Sequence, residues 1–66
     1  MKFTVEITGK SGEGPPEVIH RATVNVISPK GAMTAARSLL SRLKNKGANG
    51  ASVFNRAGET IYDWKE

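Results

Sequence analysis

The sequence predicts an α+β domain of order β-β-α-β-β, two hairpins forming one antiparallel sheet with a single helix packed on one face. Three observations carry that expectation. Apolar and polar residues alternate over 2–8 and again over 17–27, the period of half-buried strands. Between Ser28 and Gly47 the spacing becomes helical and is bounded by a start and a stop signal. Beyond it, two short segments over 51–56 and 59–64 flank Asn55-Arg56-Ala57-Gly58, a turn sequence.

In the first strand Phe3, Val5 and Ile7 form the apolar set, set against Lys2, Thr4, Glu6 and Thr8. Residues 9–16 follow with three glycines and two prolines, enough to break regular structure, and are expected to form a mobile loop. Gly9-Lys10-Ser11 repeats the end of a phosphate-binding loop motif, but its first glycine would fall at Thr4 and no helix follows, so no nucleotide site is assigned. In the second strand Val18, His20, Ala22, Val24 and Val26 alternate with Ile19, Arg21, Thr23, Asn25 and Ile27.

The helix is expected over 29–46. Ser28 can accept hydrogen bonds from the free N-H groups of the first turn, and Pro29 stands where its missing N-H costs nothing. Arg42, Lys44 and Lys46 complement the negative end of the dipole, and Gly47 can close the helix in the left-handed conformation. At about 100° per residue, Leu40, Met33, Ala36, Leu43, Ala32 and Leu39 fall within an arc of about 120°, a core-facing stripe. Lys30, Arg37 and Lys44 form a row along one border of the stripe, which serves either as a solubilising edge or as a binding row. In the first turn Gly31 either lets the helix pack close to a strand or, with Lys30, helps to dock an anion.

In the last hairpin a type I turn with a glycine bulge sets Asn55 opposite Glu59. Continuing one to one, Phe54 meets Thr60, Val53 meets Ile61, Ser52 meets Tyr62 and Ala51 meets Asp63. Ala51, Val53 and Ile61 then share one face, and Phe54, Tyr62 and Trp64 the other. Two arrangements follow. Either the helix covers Val53 and Ile61, leaving Phe54, Tyr62 and Trp64 as an interaction face, or the hairpin is turned over and the aromatics complete the core.

Sixty-six residues make one small domain with a small core. Without cysteine there is no disulfide framework and no thiolate metal site, which suits a reducing cytosol. No signal-peptide run or membrane span is legible, so a cytoplasmic protein is expected. The net charge is +4, and between Glu17 and Glu59 there is no acidic residue, while Arg21, Lys30, Arg37, Arg42, Lys44, Lys46 and Arg56 supply seven cations. Such asymmetry favours anionic partners, nucleic acid foremost. Catalysis is not expected: His20 stands alone, and Glu6, Glu13, Glu17, Glu59, Asp63 and Glu66 are scattered, so no catalytic residue, metal or cofactor is assigned. The common RNA-binding folds require a second helix that this chain lacks. These features lead first to a non-enzymatic interaction domain whose partner is a protein or a second copy of the chain. The alternative is a nucleic-acid or polyanion-binding module.

Overall fold

The computed structural model describes residues 1–10, 14–15 and 17–65. Its elements are β1 (Lys2–Gly9), β2 (Glu17–Asn25), α1 (Pro29–Leu43), a 3₁₀ turn (Lys44–Lys46), β3 (Ala48–Phe54) and β4 (Thr60–Lys65). The strands make one open antiparallel sheet in the order β2-β1-β3-β4. This is the expected β-β-α-β-β domain of the α+β class. Gly9 belongs to β1, and half of the segment expected to be mobile, residues 11–13 and 16, lies outside the described residues.

Both ends of the helix follow from local chemistry. Ser28 is extended, with φ −153°, and its hydroxyl accepts from the Gly31 amide at 3.4 Å; β2 ends at Asn25, two residues short of the expected end at Ile27. At the other end the last turn tightens to 3₁₀, and Gly47 takes φ 92°, with its amide bonded to the Lys44 carbonyl at 3.1 Å. The chain then enters β3 directly at Ala48, opposite Gly9, three residues earlier than the sequence pattern indicates.

The core forms where α1 crosses the two central strands. Phe3, Val5 and Ile7 of β1 and Ala51 and Val53 of β3 are buried under Ala32, Ala36 and Leu40, with Ala48 beside them. The three helix residues are spaced by four, so they stack on one side of α1. Two of them are alanines, which let the helix backbone sit close to the sheet, and Leu40 fills the remaining space. No polar or charged side chain is buried among the described residues. Cross-strand pairing aligns Ala22, Val5, Val53 and Tyr62 in one row and His20, Ile7, Ala51 and Trp64 in the next. The inner members of each row are buried, while the outer members, on the edge strands, are not.

The 55–59 turn has the expected form, but the register beyond it does not. Gly58 takes φ 85°, its amide bonds the Asn55 carbonyl at 3.0 Å, and Asn55 Oδ1 accepts from the amides of Ala57 and Glu59 at 3.0 and 2.9 Å. Phe54 pairs with Thr60, as expected. An irregularity at Ile61 then shifts the ladder, so Val53 pairs with Tyr62, Ser52 with Asp63 and Ala51 with Trp64. One extra residue turns every later side chain to the other face. Neither arrangement expected from the sequence holds as stated: Val53 is in the core, and Tyr62 and Trp64 pack against that core on the same side.

Leu40 is the largest helix side chain in this core and is 1 % exposed. Leu40→Ala should lower the unfolding free energy by about 2–5 kcal/mol. A domain of this length has roughly 3–10 kcal/mol in total. Urea unfolding should therefore show a large fall in midpoint, or a chain already unfolded in water.

Candidate polyanion interface

The seven cations singled out in the sequence separate into three groups in the fold. Arg42 and Lys46 meet β2 at the end of the helix, where they line an open cleft with His20, Leu39, Leu43 and Asn45. Lys30 and Arg37 of α1, with Lys44 at the start of the 3₁₀ turn, lie on the opposite flank, about 120–160° around the axis from Arg42 at about 100° per residue, and so face the β4 side. All five are exposed. Between the two flanks the crest of α1 carries Thr34, Ser38 and Ser41, also exposed and uncharged, with the Thr34 hydroxyl donating to the Lys30 carbonyl at 3.1 Å.

Arg21 and Arg56 form the third group, on the sheet face that α1 leaves open. They line a shallow depression with Thr4, Glu6, Phe54, Asn55 and Gly58. Arg21 is held there by Glu6, opposite it in the β1-β2 ladder: Nε donates to Oε2 at 2.9 Å and Nη2 lies 2.7 Å from the same oxygen. The Arg21 side chain remains 65 % exposed, so this is a surface ion pair that orients the guanidinium and adds little stability. Arg56 is presented by the hydrogen-bonded Asn55 turn.

The expected interaction face of Phe54, Tyr62 and Trp64 is divided by the sheet. Phe54 stands on the open face beside Thr4 and Thr60, whereas Tyr62 and Trp64 are half-buried on the helix side. The Ile61 irregularity is the cause. The sequence carries one indirect sign of it: Val53 and the Tyr62–Trp64 pair all need apolar cover, and only an inserted residue brings both sets to the single helix.

The acidic side chains explain why only one surface is strongly basic. Glu6 is on β1, Asp63 on β4 accepts from the Ser52 hydroxyl at 2.9 Å, and Glu59 accepts from Asn55 Nδ2 at 3.1 Å. Glu6 of β1 and Asp63 of β4 stand on the open face with Arg21 of β2, so that face mixes both signs. The segment from Pro29 to Lys46 has no acid at all. Its exposed side carries cations on both flanks and no acid.

Gly31 has a packing role. A Cβ there would lie 3.1 Å from Val26 Cβ, so glycine lets the start of α1 lie against the end of the second strand segment. The described residues contain no group of three or more His, Cys, Asp or Glu side chains placed to hold a metal. Among the described residues, no helix is long and apolar enough to cross a membrane. No known family, curated protein or solved structure matches the chain.

The position of Trp64 can be read in solution. A half-covered indole should emit to the blue of free tryptophan and be partly shielded from acrylamide, with both properties lost on unfolding. Emission and quenching equal to those of a free indole in the folded protein would return Trp64 to the uncovered face.

Proposed function

We propose that this chain is a small, non-enzymatic interaction domain whose partner is a polyanion, with nucleic acid the foremost candidate. The observation that carries the proposal is the exposed side of α1 and its 3₁₀ extension, where Lys30, Arg37, Arg42, Lys44 and Lys46 stand on a segment whose own sequence contains no acidic residue. A cationic surface of this kind releases counterions when it meets phosphates, which gives sequence-independent affinity with a steep salt dependence. A cytoplasmic location fits such a partner and a chain without cysteine.

Direct titration of a labelled oligonucleotide and of heparin at several salt concentrations tests this. Wild-type affinity should fall steeply with salt, and Arg37→Ala should reduce the log-log slope by about one unit if one phosphate contact is lost. Lys30→Glu offers an internal control, because it places an acid in a first turn that has none. It should raise stability by about 0.3–1 kcal/mol while weakening polyanion binding. Absence of binding at low salt removes the proposal.

A second reading, self-association, is favoured by the outer edge of β2. That strand is nine residues long, contains no lysine or proline, and exposes Val18 at 44 % and Ile19 at 40 %. An open edge with exposed apolar side chains can pair with another strand, and a second copy can supply one antiparallel to it. If β2 pairs with itself, light scattering should show a mass that rises with concentration towards twice that of the chain, and Ile19→Lys should restore the monomer. A monomer at every concentration excludes this reading.

A further inference from the structure

Resting on the polyanion reading above, we infer that α1 is a groove-binding helix whose partner is double-stranded DNA, with its crest in the major groove and its two cationic flanks against the phosphates on either side. The geometry follows from where the fold places each flank. On the β2 side Arg42 and Lys46 rise from the cleft that contains His20. On the other side Lys30 and Arg37 stand seven residues apart, about 10 Å along the axis, with Lys44 a further seven residues on.

Between the flanks Thr34, Ser38 and Ser41 are short, uncharged and exposed, so nothing on the crest holds the helix backbone away from a groove floor. A helix with its side chains is about 10–12 Å across, and the major groove of B-form DNA is about 12 Å wide. Insertion therefore brings the two flanks towards opposite phosphate backbones. A single strand has one backbone and cannot engage both. A-form RNA has a deep, narrow major groove that a helix does not enter.

The rest of the domain suits this approach. The helix lies over central β1 and β3, so it forms the ridge of one face, and the acids Glu6 and Asp63 project from the other. The helix spans about 22 Å, and the 3₁₀ turn extends it with Lys46. The contacts described are to phosphates, which position a protein without specifying sequence, so one duplex should be bound much like another.

The test uses the whole chain, a short fluorescently labelled DNA duplex, the matching single strand and heparin, compared at one salt concentration for wild type, Ser38→Ala and Ser38→Trp. Ser38→Trp blocks the crest without changing charge and lies on the exposed side of the helix. Expected results are tighter binding of duplex than of single strand, and a loss of at least about tenfold in duplex affinity for Ser38→Trp, or 1.4 kcal/mol. Heparin binding should be unchanged in both variants, and Ser38→Ala should bind duplex as wild type does. A circular-dichroism melt matching that of wild type shows that the tryptophan variant is folded. Equal affinity for single strand and duplex, or a Ser38→Trp variant that holds duplex normally, would overturn the groove geometry while leaving the polyanion reading in place. If neither duplex nor heparin binds wild type, both fall together.

Discussion

The structure depends on one constraint: a four-stranded sheet has a single helix to cover it. A helix about 10 Å wide spans roughly two strands at about 4.8 Å each. It is therefore the central pair, β1 and β3, that supplies the buried sheet residues, and the edge pair that supplies only half-covered ones. Ala32 and Ala36 bring the helix close enough for Leu40 to reach Ile7 and Val53 within the same apolar cluster. Close packing matters more than area in so short a chain, because lost contacts cannot be made up elsewhere in a core of nine residues.

Irregularities in the ladders adapt the strands to that constraint. All three strand pairings contain a register shift: at Ile7/Thr8 against β2, at Thr8/Gly9 against β3, and at Val53/Phe54 against β4. The last has the largest consequence. It brings Tyr62 and Trp64 to the flank of the core, where they extend apolar cover beyond the width of the helix, and it leaves Phe54 as the aromatic of the opposite face. The uncovered face is otherwise rich in threonine and charged residues, including Thr4, Thr8, Thr23 and the Arg21–Glu6 pair. A face of that composition is stable in water and does not require a partner for solubility.

Charge is distributed by the same topology. Glu6 and Asp63 offset Arg21 on the open face of the sheet, whereas the helix has no strand beside it on its outer side. The result is a two-faced domain, mixed in charge on the sheet, with only basic charges on the helix. Long lysine and arginine stems also shield the apolar borders of α1, so the same residues contribute to solubility whether or not a partner is bound. The β2 edge stands apart from both surfaces, and its exposed valine and isoleucine give it a different chemistry from the cationic helix.

Local chemistry by itself determined the fold class, the element order, the capped start of the helix at Ser28, its glycine stop at Gly47 and the Asn55–Gly58 turn. Each is fixed within a few residues: a hydroxyl beside free amides, a glycine at positive φ, a period of two against one of 3.6. The neighbours of each strand were not legible in this way. That β1 and β3 are central, that β3 begins at Ala48, and that Ile61 breaks the last ladder were decided by competition for one helix among residues far apart in sequence. The candidate interface divides along the same line. Helical periodicity placed Lys30, Arg37 and Lys44 in a row from the sequence alone, because the row lies within one element. Only the tertiary structure joined His20 to Arg42 and Lys46, set Arg21 and Arg56 beside Phe54, and parted Phe54 from Tyr62 and Trp64, since each of those relations depends on strand order and on a register that a single inserted residue reverses.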